Sequence, residues 1–301
     1  MKFWCIFSGF VKRIGLLFTV SSYDFVFIHR EAAPIGPPVF EWIMAKVFQK
    51  RIIYDFDDAI WLTDKKNESW IEKGIRWRGK VASITKWSYK VSAGNAYLAD
   101  YAKCFNKNVV VNPTTIDTEN VHKATKRRSS TDRIVIGWTG SHSTLKYLKE
   151  IEEVLSSIEQ KFPNVFFFVI ADKAPNLNLK RFEFKTWSLE TEVTDLAQFD
   201  IGVMPLPDDE WAKGKCGFKA LQYMAVEIPA VASPVGVNIL IIKPGVNGFL
   251  ATTPLEWEKS LTLLIEKESL RTEFGKKGRL MVEQHYSVES NKKNFQDLFN
   301  F

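Results

Sequence analysis

Residues 213–238 read KGKCGFKALQYMAVEIPAVASPVGVN and decide the fold class of the chain. A turn rich in Gly and Lys leads into a helix-like run at 218–225, and a short apolar strand follows at 230–232. The free N–H groups and the dipole at the start of such a helix form an anion site. Because Lys215 and Lys219 are spaced i and i+4, a helix that includes both would place them on one face. The segment therefore predicts an α/β protein that binds phosphate groups.

The composition is that of a soluble globular protein with room for two domains, since the 301 residues are 46% hydrophobic and 25% charged. The net charge of +6, from 41 basic and 35 acidic residues, is spread without dense Lys/Arg runs. This distribution argues against a nucleic-acid partner and suits an anionic small molecule or a phospholipid surface. Cys5, Cys104 and Cys216 are too widely spaced for a disulfide framework or a zinc site. We therefore expect a protein of the reducing cytoplasm.

The first apolar segment, residues 3–20, is interrupted by Lys12 and Arg13. It is too interrupted for a membrane-spanning helix and lacks the order of regions of a signal peptide. Its apolar residues fall at helical spacing and form a stripe: Phe3, Phe7, Phe10, Ile14 and Leu17. A core helix that packs on a sheet is the favoured interpretation. A helix lying in a membrane interface is the alternative.

Strand-like and helix-like segments alternate along both halves of the chain, which predicts two parallel sheets with right-handed crossovers. In the first half the pattern includes a long helical region at about 70–90. The polar stretch 118–132 has no apolar periodicity and marks the best domain boundary.

Small residues follow a predicted strand at Gly140 and Ser141, where a phosphate can approach the backbone amides closely. An ordinary tight turn between strand and helix explains them equally well. A second such turn at 214–217 favours a ligand site, because open α/β sheets bind ligands at the carboxyl ends of their strands.

Acidic residues end a predicted strand of the first half at 55–58, which reads Asp-Phe-Asp-Asp. Unpaired carboxylates at a strand end are costly to bury and indicate a site. Asp57 and Asp58 are the candidates for orienting a substrate hydroxyl, and helix capping with a surface ion pair is the alternative. A divalent-metal D-x-D motif is disfavoured by the two Rossmann-like halves. Arg30 and Glu31 follow the preceding strand and would meet an anionic substrate.

Several motifs of the second half together resemble the nucleotide-sugar domain of family 4 glycosyltransferases, also called glycosyltransferase group 1. They are GWTGS at 137–141, TWSLETE at 186–192, FDIGVMPL at 199–206, GKCGFKALQYMA at 214–225, PAVASPVGVN at 229–238 and GVNGFL at 245–250. The first half is more loosely similar, through YDFVFIHRE at 23–31, IIYDFDDAIW at 52–61 and VVVNPTTID at 109–117. The resemblance implies a GT-B fold, in which two Rossmann-like domains with parallel sheets face a cleft. It also implies a retaining, metal-independent transferase. The domains would be 1–125 on the acceptor side, 126–285 for the nucleotide sugar, and a helix at 286–301 that packs back toward the first.

The resemblance carries donor-binding roles onto individual residues. Gln222 stands where the family usually has the second Glu of an E-x7-E motif, which binds the ribose hydroxyls. The first Glu, which contacts the donor sugar, would fall at Gly214 and is absent. A K-C-G-F-K subgroup instead suggests a lysine that neutralises the diphosphate, with Lys219 as the first candidate and Lys215 as the second. Lys146 matches another diphosphate lysine of the family or lies on the solvated surface.

Other residues take roles by the same comparison. Trp187 and Ser188 stand where the family reads the base, largely through backbone atoms. His142 is either a contact to donor phosphate or sugar, or a structural histidine. The amides near Gly217 would join those of the 140–141 turn at the diphosphate.

The chain departs from the family at two places. The family begins with a strand and a Gly-rich loop ahead of the helix at 3–20, so we expect a truncated first domain with an unpaired sheet edge. Glu227 replaces the Gly that commonly ends the motif helix, where positive φ is easiest.

The sequence thus predicts a retaining glycosyltransferase that moves a sugar from a nucleotide-diphosphate donor to a glycan or lipid-linked acceptor of the cell envelope. We expect no cofactor besides the donor, and a cytoplasmic protein with peripheral contact at the inner face of the membrane. The alternatives are an impaired nucleotide-sugar-binding module left by truncation, and an epimerase or phosphorylase on the same fold.

Overall fold

The computed structural model describes residues 2–63, 68–124 and 133–300, with side chains of the first helix described from residue 8 onward. The chain divides into two compact units. The first extends to residue 113 and includes 213–216 and the residues from 292 onward, and the second comprises 114–212 and 217–291. Part of the boundary stretch at 118–132 lies outside the described residues. The boundaries at 125 and 285 stay predictions.

The first unit contains a four-stranded parallel sheet with the order β1-β2-β3-β4. Its strands are β1 (Phe25–His29), β2 (Arg51–Phe56), β3 (Lys90–Ala93) and β4 (Val109–Val111). Its helices are α1 (Lys2–Leu17), α2 (Val39–Trp42, extended by a π-helical turn at Ile43–Val47), α3 (Trp70–Arg76), α4 (Lys80–Trp87) and α5 (Ala96–Lys103). The side chains of Ile52, Ile53, Tyr54 and Phe56 are fully buried, as expected of a strand covered on both faces.

The predicted continuous helix at 70–90 is wrong, because two helices occupy this region. Ser69 and Glu72 form a capping box that begins α3. The helix ends where Trp77 adopts a left-handed conformation with φ of +49°. The side-chain pattern continues across this break, so the pattern alone could not reveal it.

The favoured interpretation of the first helix as a core helix is also wrong for its described part. Phe10 packs on Phe40 of α2, with ring centroids 5.7 Å apart. In contrast, Val11, Ile14 and Leu16 remain more than half exposed. Within the described ranges, no helix combines the length and apolar character needed to cross a membrane.

The second unit contains a six-stranded parallel sheet with the order β10-β9-β8-β5-β6-β7. Its strands are β5 (Ile134–Gly140), β6 (Val165–Ala171), β7 (Phe182–Thr186), β8 (Ile201–Met204), β9 (Ala230–Ala232) and β10 (Gly248–Leu250). Read from β7, the strand order is that of a Rossmann sheet. The direction in which successive strands are added to the sheet reverses between β5 and β8. Ligands of such sheets bind beyond the carboxyl ends of the strands at that point.

Helices cover both faces of this sheet, and apolar clusters fill the space on each side. The helices that begin within 145–288 are α6 (Leu145–Leu148), α7 (Glu152–Lys161), α8 (Glu192–Leu196), α9 (Glu210–Lys213), α10 (Phe218–Ala225), α11 (Asn238–Ile241), α12 (Pro254–Glu266), α13 (Glu268–His285) and α14 (Val288–Gln296). The last turns of the chain return to the first unit, where Phe295 and Phe299 pack on Phe27 of β1.

Tyr223 of α10 fixes that helix at the point where the strand order reverses. Its ring lies over Gly202 of β8, where a Cβ atom would come within 2.3 Å of the ring. Its hydroxyl accepts a hydrogen bond from Thr139 N–H (3.1 Å) and donates to the Val203 carbonyl (3.3 Å). The hydroxyl thus joins β5 to β8 beyond their last ladder pair, Gly137 with Gly202.

Candidate functional site

The side chain of Lys219, a residue of α10, lies directly on the strand backbone at the carboxyl end of β5. A Cβ atom at Gly140 would come within 2.6 Å of the Lys219 Cε atom and of the Trp138 ring. The Lys219 ammonium lies 5.3 Å from the centre of that ring, within cation–π distance. Only glycine at position 140 allows this approach. The structure therefore brings two predicted site residues, Gly140 and Lys219, together at the reversal point.

The helix that presents Lys219 begins at a constrained glycine. Gly217 has φ of +70°, and a Cβ atom there would lie 2.2 Å from Ile241 Cδ1. The backbone N–H groups of the first turn of α10 have no intrahelical acceptor by geometry, so they can bind an anion. Gly217 has a left-handed backbone conformation, and α10 begins after it at Phe218. Lys215 is therefore not part of the helix. The prediction that Lys215 and Lys219 share one helix face is wrong.

Gln222 lies one turn after Lys219 and is 2% exposed. Within the described part of the chain, its amide nitrogen has no hydrogen-bond partner. A buried unpaired donor is costly, so a ligand oxygen at this position would stabilise the site.

His142 follows the same strand end and is held by a carboxylate that sequence reasoning missed. Asp172, next to the end of β6, accepts hydrogen bonds from the His142 backbone N–H and from its Nδ1, both at 2.5 Å. The hydrogen bond from the imidazole lowers the pKa of Asp172. Gly140 pairs with Ala171, so residues 142 and 172 follow adjacent strands. The sequence signal was a carboxylate directly after a buried strand, the same signal that selected Asp57.

Trp187 and Ser188, the predicted base-reading residues, follow β7 beside that edge. The Trp187 N–H donates to the Ala171 carbonyl at 2.9 Å, and its indole N–H donates to Glu192 at 2.8 Å. Ser188 donates to Glu190. The Trp187 side chain is 43% exposed and is available to a ligand. Ser141 is exposed and pairs with Ser143.

The acidic residues after β2 form an ion-pair cluster in the first unit. Arg30 donates to Asp57 at 2.9 Å and to Asp58 at 2.8 Å, and Lys215 lies 2.8 Å from the other Asp58 oxygen. Arg30 itself has φ of +61°, a conformation that is costly for a residue other than glycine. In the described ranges, no group of acidic, His and Cys side chains has the arrangement of a metal site. The carboxylates are therefore held by basic side chains, and an anionic substrate near Arg30 would compete with them.

The segment that carries Lys215 is fixed to the first unit by a residue that sequence reasoning did not select. The Asn95 amide lies 3.2 Å from the carbonyls of both Gly214 and Lys215. The Cys216 thiol donates to the Asp57 carbonyl at 3.2 Å. Lys146, the remaining candidate, is exposed on α6 and lies over its neighbour Tyr147.

A model of a known family matches part of the chain. Residues 133–267 match the family model of the glycosyl transferases group 1. No curated protein matches the sequence.

Solved structures are similar across nearly the whole chain. Sucrose-phosphate synthase (tll1590) from Thermosynechococcus elongatus aligns with a TM-score of 0.71 and 13% identity over 96% of this chain and 76% of that one. Anabaena Alr3699/HepE, in complex with UDP and glucose, aligns with a TM-score of 0.73 and 16% identity over 96% and 81% of the two chains. TarM aligns with a TM-score of 0.64 and 17% identity over 87% of this chain and 58% of that one. At these identities the likeness shows the fold, and it confirms the predicted α/β architecture of GT-B type. The K-C-G-F-K subgroup and the truncation stay predictions.

Proposed function

We propose that the protein is a glycosyltransferase that transfers a sugar from a nucleotide-diphosphate sugar to a hydroxyl of a glycan or lipid-linked acceptor. The group 1 match and the fold support the reaction class. The observation that carries the proposal is the Lys219 side chain lying on Gly140 at the reversal point of the Rossmann sheet. A fixed cation at that edge is the feature that a leaving diphosphate requires.

The donor diphosphate binds between Lys219 and the first turn of α10 in this proposal. The ammonium and the backbone N–H groups after Gly217 stabilise the negative charge that develops as the sugar departs. Such preorganised groups usually give the largest part of the rate enhancement. Gly140 and Ser141 supply close backbone approach on the other side, and His142 contacts a phosphate or the sugar.

The nucleoside is bound by two further residues of the second unit. The Gln222 amide pairs with the ribose hydroxyls, which supplies the partner that its buried nitrogen lacks among the described residues. Trp187 and Ser188 contact the base beside β7. Lys215 serves as a second diphosphate ligand only after it leaves Asp58, because the two form an ion pair.

The acceptor is oriented by Asp57 and Asp58 in this proposal. Arg30 binds both carboxylates, which fixes their positions. We further propose that the enzyme retains anomeric configuration without a metal and uses no cofactor besides the donor. Its place is cell-envelope glycan synthesis at the cytoplasmic face of the membrane. TarM of S. aureus has been crystallised with UDP and alpha-GlcNAc-glycerol, which are a nucleotide and a sugar conjugate of the proposed kinds.

A binding module without transfer activity is the second candidate. Gly214, which stands where the family's sugar-contacting Glu would be, offers no side chain to the donor. Donor consumption separates the two functions. The purified chain is incubated with UDP-, GDP- and ADP-glucose, and release of the nucleoside diphosphate is measured with and without glycan acceptors. An enzyme releases one diphosphate preferentially. Binding of a nucleotide sugar without release of its nucleoside diphosphate would support the binding module.

A further inference from the structure

The carboxylate of Glu192 lies between two side chains that are far apart in the sequence. One oxygen, Oε1, accepts the indole N–H of Trp187 at 2.8 Å. The other, Oε2, lies 3.9 Å from Nε2 of His122. The Glu192 side chain is 15% exposed and the His122 side chain is 7% exposed, so the pair is largely shielded from water. One carboxylate thus contacts a residue of the candidate site and faces a titratable residue on its other side.

His122 is a buried histidine whose ring makes no hydrogen bond within 2–63, 68–124 and 133–300. Both ring nitrogens are buried and lack a partner in these ranges. A neutral imidazole has one N–H donor and one acceptor nitrogen, so the unpaired ring is costly to bury. Buried polar groups of a folded protein are normally paired. Packing alone therefore does not explain a histidine at this position.

The backbone of His122 is fixed, so the carboxylate is the part of the pair that moves. The His122 N–H donates to the Asp117 carbonyl at 2.7 Å. Arg279 of α13 donates to the His122 carbonyl and, at 2.9 Å, to the Thr118 carbonyl. Glu192, in the first turn of α8, has a long side chain whose carboxylate can shift by about 1 Å without movement of the helix.

Charged groups of both signs face the His122 ring from the elements packed around it. Burial lowers the pKa of His122 and is the strongest influence, while Glu192 of α8 and Asp117 of the ring's own segment oppose it. Arg279 of α13, which is paired with Glu283, adds to the lowering. Protonation therefore occurs below the ordinary histidine value of about 6.5. It creates a buried cation beside the Glu192 carboxylate.

We propose that Glu192 is a positioning residue for Trp187 and that protonation of His122 draws the Glu192 carboxylate away from the indole. A hydrogen bond between charged groups is about 2.7–2.9 Å long, so closing the 3.9 Å gap moves the carboxylate by about 1 Å. The new bond is stronger than the bond from the neutral indole, because both of its partners are charged and shielded from water. The Trp187 side chain, which is 43% exposed, then loses the contact that fixes its indole.

The effect on the donor rests on the proposed function, in which Trp187 contacts the base. An indole held in one position is preorganised for a base, whereas a free indole must be ordered when the donor binds. Donor affinity should therefore fall as the pH drops through the titration of His122. The movement of the indole itself does not depend on donor binding.

NMR of the ¹⁵N-labelled full chain tests the movement through its indole N–H signals, recorded between about pH 5 and about pH 8. Trp187→Phe identifies the Trp187 signal by its absence. This signal should shift as the pH falls, with a midpoint below about pH 6.5. His122→Leu should abolish the shift, because leucine cannot be protonated. Glu192→Gln should also abolish it, because the amide oxygen still accepts the indole N–H but carries no charge.

His285→Gln is the matched control, since it removes an exposed histidine of the same unit. The Trp187 signal of this variant should shift as in the original chain. A Trp187 signal that stays constant in the original chain, or that shifts equally in His122→Leu, would overturn the proposal.

Calorimetric titration with UDP-, GDP- and ADP-glucose measures the consequence for binding. Sugar nucleotides are the probes because a terminal phosphate would itself titrate at about pH 6. The original chain should bind the preferred one about threefold to tenfold more weakly at about pH 5 than at about pH 8, which corresponds to one hydrogen bond. The loss should be smaller in His122→Leu and Glu192→Gln, and unchanged in His285→Gln. Glu192→Ala should weaken binding at both pH values.

The two measurements separate this inference from the proposed function. An indole signal that shifts as described, without binding of any sugar nucleotide, would contradict only the proposed function. Binding whose loss in acid is equal in the original chain and in both variants of the pair would overturn the control of the donor by His122.

Discussion

At the scale of single residues, the Tyr223 hydroxyl determines how α10 sits on the sheet. It replaces the backbone pairing that β5 and β8 lose as they separate, and burial raises its pKa far above the ordinary value. The hydroxyl therefore stays protonated at any physiological pH. Because Lys219 lies one turn earlier on the same helix, the contacts of the Tyr223 hydroxyl also fix the position of Lys219.

Tyr223→Phe should lower the free energy of unfolding by about 1–3 kcal/mol, because the Thr139 N–H and the Val203 carbonyl lose a buried partner. Urea denaturation measures the change. Tyr54→Phe is the matched control, since the Tyr54 hydroxyl is buried and has no partner in the described part of the chain. That variant should unfold at the same urea concentration as the original or higher. Equal destabilisation by both substitutions would contradict the role given to Tyr223.

Asp172 should act on donor binding only through His142. A double-mutant cycle with His142→Ala and Asp172→Ala is therefore expected to show coupling of about 0.5 kcal/mol or more in nucleoside diphosphate affinity. Isothermal titration calorimetry of the two single variants and the double variant gives the coupling. Strictly additive effects would mean that the pair has no shared function in binding.

At the scale of elements, the strands were the most predictable part. The predicted strand at 230–232 is confirmed, because a continuous apolar run reports burial directly. Glu227, which replaces the Gly that commonly ends the motif helix in the family, has φ of +61°, so the backbone keeps the left-handed conformation without a glycine. Breaks such as Trp77 were missed, because a left-handed residue other than glycine is set by its tertiary surroundings.

The candidate site was predictable only where its residues belong to local sequence motifs. Gly140 and Lys219 sit in local motifs, so the sequence alone selected them. The pairs Arg30 with Asp57 and His142 with Asp172 join residues 27 and 30 positions apart, and no local pattern connects them. Lys215 was placed on a helix because the sequence does not show that Gly217 turns the chain away from helical geometry.

The start of α10 gives a prediction with an internal control. Gly217→Ala should destabilise the protein by about 2 kcal/mol or more, from left-handed strain and from overlap with Ile241. Gly245→Ala has the same strain at φ of +76°, but no atom lies within 4 Å of the added Cβ. It should cost about 1 kcal/mol. Thermal unfolding compares the two. Equal costs would show that close packing at Gly217 does not hold the helix start.

At the scale of the whole molecule, the two units carry different parts of the proposed function. The donor residues Gly140, Lys219 and Gln222 belong to the second unit, whose sheet has the reversal that creates a ligand site. The first sheet has no reversal among its described strands, and its unit carries the ion-pair cluster. A diphosphate should therefore bind through the second unit.

Acid should destabilise the second unit through His122. Burial lowers the pKa of this histidine, despite the opposing effect of Glu192. The unfolded chain then binds more protons below about pH 6.5, so the free energy of unfolding falls as the pH drops through that value. His122→Leu should reduce this pH dependence, and exposed His285→Gln should leave it unchanged. An unaltered pH profile in the His122 variant, measured by urea denaturation, would contradict the assignment.

Lys219, held on Gly140, binds the donor diphosphate in the proposed enzyme. Calorimetric titration of the original chain and of Lys219→Ala, with UDP, GDP and ADP and with the corresponding nucleosides, measures this contact. Lys219→Ala should weaken binding of the preferred diphosphate about tenfold to a hundredfold, as expected for a charged hydrogen bond, and should leave nucleoside binding unchanged. Lys259→Ala, on the exposed side of α12, should change neither affinity. Unchanged diphosphate affinity in Lys219→Ala, or no diphosphate binding by the original chain, would show that Lys219 does not bind the donor diphosphate.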